Sequence, residues 1–174
     1  MNSGNYLQSP LLSTNPFVKH FFANKNFQTG DEKVFFLDQI HSDKFINLDD
    51  INLINNKIEG DAIITSRKGL FIGVRSADCV PILLCSKDDS FIAAVHSGWR
   101  GTYNQIIKNV IKEITSRYKY PKEDILCAIG PSIGMCCYEI GEPMANRFKD
   151  KFIFDENDIK YIDKKFFLNL PGLN

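Results

Sequence analysis

The stretch Phe91-Ile92-Ala93-Ala94-Val95-His96-Ser97-Gly98-Trp99-Arg100-Gly101, with the seventeen or so residues after it, decides the fold. An apolar run of strand length ends on a histidine and turns through a glycine-flanked bend. It then enters a segment where Ile106, Ile107, Val110, Ile111 and Ile114 share one stripe and Lys108, Lys112, Glu113 and Arg117 fall off it. The pattern predicts a strand over residues 91–95 and an amphipathic helix over about 102–118, with Thr102 as N-cap and Pro121 just beyond the end. Strand, bend and helix in that order belong to an α/β chain.

Working outward, Val34-Phe35-Phe36-Leu37 reads as a strand that continues through Gln39-Ile40-His41, with Gln39 and His41 on one face, Ile40 on the other, and His41 at the end. Residues 49–57 are polar and Asn-rich, as in a loop, and Gly60-Asp61 opens a strand over 62–65. Apolar runs at 70–74 and 81–85 bracket Arg75-Ser76-Ala77-Asp78-Cys79, which places Cys79 on an exposed bend, and Pro81 marks a kinked or edge position. Further on, a strand over 125–129 is broken by Gly130-Pro131, and residues 134–141 carry Cys136, Cys137, Tyr138 and Glu139. A short helix follows Pro143 through Phe148, and weaker patterns suggest strands near 159–162 and 166–168. With no internal repeat or linker, residues 1–174 read as one domain of α/β (α+β) class.

Composition narrows the function classes. Twenty-one basic and twenty-one acidic residues cancel, so no global field favours nucleic acid or an anionic membrane surface. A 44% hydrophobic and 24% charged content is that of an ordinary globular protein. No apolar run reaches spanning length and the first thirty residues lack a signal-peptide core, so a cytoplasmic location is expected. Five cysteines, two of them adjacent, do not form an even disulfide framework, which fits a reducing compartment.

His41, Cys79 and His96 each stand where a strand-like run gives way to a turn, so they can converge although 38 and 17 positions separate them. Two imidazoles and a thiolate suit Zn²⁺ and leave a fourth position open for water or substrate. The same residues would also serve a cysteine nucleophile with a histidine base. Cys85, Cys127, Cys136 and Cys137 read as small buried hydrophobes, with a second metal at Cys136 and Cys137 as a lesser reading, and His20 reads as structural.

Five strings occur in order: Gln39-Ile40-His41-Ser42; Gly60-Asp61-Ala62; Arg75-Ser76-Ala77-Asp78-Cys79-Val80-Pro81; Val95-His96-Ser97-Gly98-Trp99-Arg100-Gly101; and Gly130-Pro131-Ser132-Ile133-Gly134 with Cys137-Tyr138-Glu139. Over roughly residues 34–170 the chain thereby resembles the YfiH-like proteins, once called multicopper polyphenol oxidases or laccase-domain proteins and now regarded as purine nucleoside phosphorylases. The resemblance implies a fold similar to the cytotoxic-necrotizing-factor catalytic domain, with mixed β-sheets flanked by helices. It implies zinc on His41, Cys79 and His96, and phosphorolysis of adenosine, inosine, guanosine and methylthioadenosine, together with deamination of adenosine.

Within that resemblance, Arg75 and Arg100 are candidates for holding phosphate, helped by backbone N–H groups of the Ser97-Gly98 bend at a helix N-terminus. Asp78 would orient a ligand or act as acid or base, with a turn cap as the alternative. Trp99 would stack on a base or pack beneath the helix, and Tyr138 and Glu139 would line a purine site, with a structural ion pair as the alternative for Glu139. Both ends are expected to be short relative to the family, leaving one or two pocket walls in question. Three other readings stand beside the phosphorylase: a non-catalytic zinc-binding relative, a cysteine amidohydrolase acting on a peptidoglycan precursor, and a copper polyphenol oxidase, which three histidines are too few to support. The expected partners are a purine nucleoside and phosphate, and the oligomeric state is open.

Overall fold

The computed structural model describes residues 5–27, 33–51, 57–152 and 157–174. In chain order its strands and α-helices are β1 (Tyr6–Leu7), β2 (Phe22–Ala23), β3 (Val34–Phe35), β4 (Phe45–Asn47), β5 (Ala62–Thr65), β6 (Phe71–Ile72), β7 (Val80–Cys85), β8 (Ile92–Ser97), α1 (Trp99–Tyr103), α2 (Ile106–Arg117), β9 (Leu126–Ile129), β10 (Glu139–Ile140), α3 (Glu142–Lys151), β11 (Ile159–Ile162) and β12 (Lys165–Leu168).

A mixed five-stranded sheet, ordered β4-β5-β8-β7-β9, is the scaffold, and β4-β5 is its parallel pair. Alternation divides its side chains between two faces. Ala62, Ile64, Val80, Ile82, Leu84, Ala93 and Val95 pack with the stripe Ile106, Ile107, Val110 and Ile114 of α2, and with Ala145 and Phe148 of α3. Ile63 instead joins Leu37 and Leu48, and Cys85 joins Leu12 and Ala128. A smaller antiparallel sheet, β10-β12-β11, sends Ile140 and Leu168 into the larger cluster. The mixed sheets and flanking helices match the expected fold class.

The register positions the site. Ala62 pairs with Val95, Pro81 with His96 and Val80 with Ser97, so the start of β5, the start of β7 and the end of β8 lie at one margin of the sheet. Because β4 runs parallel to β5, with Phe45 opposite Ala62, the segment entering β4 arrives at that same margin. Strand pairing therefore brings residues 61, 79 and 96 to one margin, and the segment bearing His41 is delivered to the same place.

Several local expectations are corrected. The strand expected over 34–41 pairs only at β3 and at an Asp38–Glu59 bridge, and His41 lies beyond it with φ of 56°. Its chain is turned by hydrogen bonds to Asp61 rather than continued by a ladder. The helix expected over 102–118 is two helices, broken where Gln105 takes φ of 62°. Gly98 is the N-cap of the first, whereas Thr102 lies inside it, buried, its hydroxyl bonded to Ser97. The amphipathic stripe begins only at Ile106, so it reports α2 alone.

Pro81 is not at an edge: β7 lies between β8 and β9. The proline is tolerated because it stands beyond the last rung of the β9 ladder, where its carbonyl still takes the N–H of Gly130. β8 also runs two residues further than expected, through His96 and Ser97, and α3 continues to Lys151. Residues 48–50 form a 3-10 turn within the expected 49–57 loop, and positions 52–56 of that loop lie outside the described residues. Among the described residues no helix is long and apolar enough to cross a membrane.

Candidate metal centre

His41, Cys79 and His96 each offer a ligand atom, and these atoms all lie within 4.8 Å of one another. The imidazole centroids of the two histidines are 4.9 Å apart, edge to face. His41 is exposed, Cys79 half-buried and His96 buried, so the group opens to solvent on one side.

Asp61 organises it. This carboxylate is fully buried and accepts four hydrogen bonds: from His96 Nδ1 (2.9 Å) and His41 N–H (3.0 Å) on Oδ1, and from Ser42 N–H (2.7 Å) and the Ser42 hydroxyl (2.8 Å) on Oδ2. Its main chain joins in, donating to Lys44 O at 2.8 Å and accepting from His96 N–H at 2.7 Å. Burial pushes the Asp61 carboxyl up, but the bonds from Ser42, His96 and His41 outweigh it and hold the group below its ordinary value. The left-handed backbone of His41 costs on the order of 1 kcal/mol for a residue with a Cβ. Two backbone N–H groups bound to a buried anion, at roughly 1.5 to 3 kcal/mol each, offset that cost.

The donor set fits zinc. With Nδ1 of His96 committed to Asp61, its Nε2 is left as the donor, which is the carboxylate–histidine–metal arrangement that orients a ligand and raises its basicity. Bonds of about 2.0 to 2.3 Å in a tetrahedron put donors about 3.5 Å apart. Side-chain rotations closing the trio by about 1 Å would therefore seat the ion. Gly98 leaves the room for it, since a Cβ there would stand 3.0 Å from Cys79 Sγ and 3.5 Å from His41 Cδ2. Burial, reinforced by the charges of Asp78 and Asp61, pushes the Cys79 thiol up, so without a cation beside it the sulfur keeps its proton.

The remaining sequence candidates divide. Arg75 and Arg100 are exposed, with guanidinium carbons 4.2 Å from the Phe36 ring centroid and 4.5 Å from the Trp99 ring centroid, and neither makes an ion pair among the described residues. Gln39 clamps the Arg75 backbone, accepting its N–H at 2.6 Å and donating to its carbonyl at 2.8 Å. Asp78 is exposed with φ of 76°, and its carbonyl takes the Ile133 N–H at 2.9 Å. Tyr138 is half-buried against the core, and burial followed by the charge of Cys79 pushes its phenol up.

The other positions turn away from the trio. Ser97 is fully buried, its hydroxyl bonded to Thr102 (3.0 Å) and Asn174 (2.6 Å). Trp99 lies with Tyr103, Pro143, Met144, Arg147 and Phe148 around a small cavity under α3, and Glu139 pairs with Lys165 at 2.7 Å. His20 is buried and accepts the Ser9 N–H on Nε2, apart from the trio. Cys85 is buried as expected, but Cys127, Cys136 and Cys137 are exposed, contrary to their reading as buried hydrophobes, because the strand β9 and the turn before β10 present them outward. In the sequence Asp61 stands out only as the residue that opens a strand after Gly60. Its contacts to both histidines arise across strands.

A family model described as multi-copper polyphenol oxidoreductase laccase matches residues 19–174, and the chain belongs to that family, the YfiH-like proteins. It is 41% identical over 130 residues to a purine nucleoside phosphorylase of Clostridium acetobutylicum, covering 75% of this chain and 53% of that one. It is likewise 41% identical over 111 residues to an adenosine deaminase of an unknown prokaryotic organism, covering 63% and 42%. The chain thus spans about half the length of the curated relatives it matches. The solved structure of Bacillus licheniformis YfiH superposes with a TM-score of 0.70 at 23% identity, over 80% of this chain and 56% of that chain, a likeness of fold alone.

Proposed function

We propose that the protein is a zinc-dependent purine nucleoside phosphorylase that also deaminates adenosine, with His41, Cys79 and His96 as metal ligands. The observation that carries this reading is the trio within 4.8 Å, with His96 locked by a fully buried Asp61. Support for the substrate class comes from relatives named purine nucleoside phosphorylase and adenosine deaminase.

When bound, zinc acts as a Lewis acid and lowers the pKa of its water toward neutrality. Asp61 keeps His96 in one tautomer and holds the His41 backbone, so only small side-chain rotations would be left for the two imidazoles to make. Phosphorolysis requires a phosphate oxygen to reach C1′ of the ribose as the purine leaves. The unpaired guanidinium groups of Arg75 and Arg100, held in place by aromatic rings, are the groups suited to grip that phosphate. Deamination requires water to attack C6 of adenine as ammonia departs, and the exposed Asp78 beside Cys79 is our candidate to move the protons. Tyr138 would form a wall for the base.

A cysteine hydrolase is the weaker reading, because burial and the charges of Asp78 and Asp61 push the Cys79 thiol up, away from the thiolate that such a nucleophile needs. A second reading, a zinc-binding relative without turnover, draws on the engagement of Ser97 by Asn174 and of Glu139 by Lys165, which removes two expected substrate contacts. Incubation of zinc-loaded protein with adenosine, with and without phosphate, followed by separation of adenine, inosine and hypoxanthine, decides between them. Phosphate-dependent adenine supports the phosphorylase; zinc-loaded protein that yields no base or inosine supports the relative without turnover.

A further inference from the structure

The turn before β10 carries two adjacent thiols for which the proposed chemistry has no use. Cys136 and Cys137 are both exposed, and their sulfurs lie 3.0 Å apart. The turn holds them there: Gly134 O accepts the N–H groups of Cys137 (3.0 Å) and Tyr138 (3.1 Å), and Cys137 O accepts that of Glu139 (3.1 Å). Ahead of it, the Ile133 N–H is fastened to Asp78 O at 2.9 Å, so the loop is tied at both ends.

Two soft donors fixed side by side favour a thiophilic centre over a hard cation. Direct closure to a disulfide is disfavoured, because a trans peptide sets neighbouring Cα atoms about 3.8 Å apart, short of the roughly 4.4 Å at which unstrained disulfides begin. One atom inserted between the sulfurs relieves that constraint. The hydrogen bond shared with Cys136 pushes the Cys137 thiol above its ordinary value, unlike the low-pKa thiols of peroxide sensors.

We propose that Cys136 and Cys137 form a second ligand site, a vicinal dithiol that chelates a trivalent thiophilic centre of the organoarsenical(III) class, separate from the His41, Cys79 and His96 trio. With an arsenoxide the step balances without redox chemistry. Two As–S bonds form, two S–H bonds and the As–oxygen linkage break, and the oxygen leaves as one water carrying both thiol protons while arsenic stays trivalent. No other pair of exposed thiols competes: Cys79 sits with the histidines, and Cys127, on the strand beside Cys85, faces a thiol that is itself buried.

The test is phenylarsine oxide added to the full chain, with and without prior zinc, read by intact mass and by zinc content. Wild-type protein should give a one-to-one adduct that ethanedithiol reverses and excess monothiol does not, with zinc per chain unchanged. Cys136→Ser and Cys137→Ser should each lose the adduct while keeping the wild-type melting temperature, and Cys127→Ser should retain it. Absence of the wild-type adduct, its survival in either serine variant, or zinc release in proportion to arsenic uptake, which would mean capture at Cys79, overturns the proposal. Because no arm reads turnover, its failure is distinct from failure of the phosphorylase reading.

Discussion

Replacing Asp61 by asparagine changes one oxygen to NH₂ and removes the buried charge while keeping the shape. Asp61 Oδ1 serves His96 Nδ1 and the His41 N–H, and Oδ2 serves the Ser42 N–H and hydroxyl. If asparagine keeps its oxygen at the Oδ1 position, its amide faces the Ser42 N–H, donor against donor. The Ser42 hydroxyl can rotate to accept, but the backbone group cannot. One orphaned N–H at about 1 to 3 kcal/mol, plus about 1 kcal/mol for each of the two Oδ1 bonds that pass from a charged to a neutral acceptor, gives a loss of roughly 3 to 5 kcal/mol in the metal-free protein. The same change weakens the hold on the His96 ring and on the left-handed His41 backbone, because both now bond to a neutral oxygen, and should weaken zinc binding by about 10- to 100-fold. Chelator competition gives the zinc Kd and thermal melting of the apo protein gives the stability change. Asp61→Asn with a zinc Kd within about twofold of wild type would refute the assignment of Asp61 as the organiser.

Gly98→Ala should weaken zinc binding while leaving apo melting nearly unchanged, since φ of −79° suits alanine but its Cβ would press on Cys79 Sγ at 3.0 Å; equal zinc uptake would show that the trio does not close there. Arg75→Ala should retain full zinc content and raise the KM for phosphate by about tenfold or more, as expected for one charge-assisted contact; an unchanged phosphate dependence would remove Arg75 from the anion site. Burial pushes the Asp49 carboxyl up, but bonds from the Ser66 and Thr65 hydroxyls, the Ser66 N–H and the Tyr118 hydroxyl hold it below its ordinary value. Its contribution to stability is therefore present above about pH 4 and lost as pH falls through the folded value. Denaturant melts of Asp49→Asn across pH 2 to 6 should show a flatter acid limb than wild type, and parallel limbs would contradict the shift.

What the sequence disclosed, and what it hid, follow from the range of the interactions. The strands β5, β7 and β8 and the stripe of α2 rest on local periodicity, and they were read with small boundary errors. His41, Cys79 and His96 stood out because each interrupts such a pattern. The division of the helix at Gln105 was hidden because α1 is too short to carry an amphipathic repeat, and its inward residue Thr102 is polar, satisfied by Ser97 and by the distant Asn174. The same distance effect concealed the roles of Ser97 and Glu139, whose partners are 77 and 26 positions away. Cys136 and Cys137 looked like core residues on composition, whereas the turn that exposes them depends on Gly134 accepting two N–H groups.

Because one carboxylate clasps both the loop bearing His41 and the strand bearing His96, the two imidazoles cannot be mispositioned independently. A chain that fails to zip β5 against β8 loses both at once, together with the partner opposite Pro81 that steadies the bend at Cys79. Metal capture at the proposed centre would thus double as a report on sheet assembly: only a molecule with its central strands in register brings the three donors together.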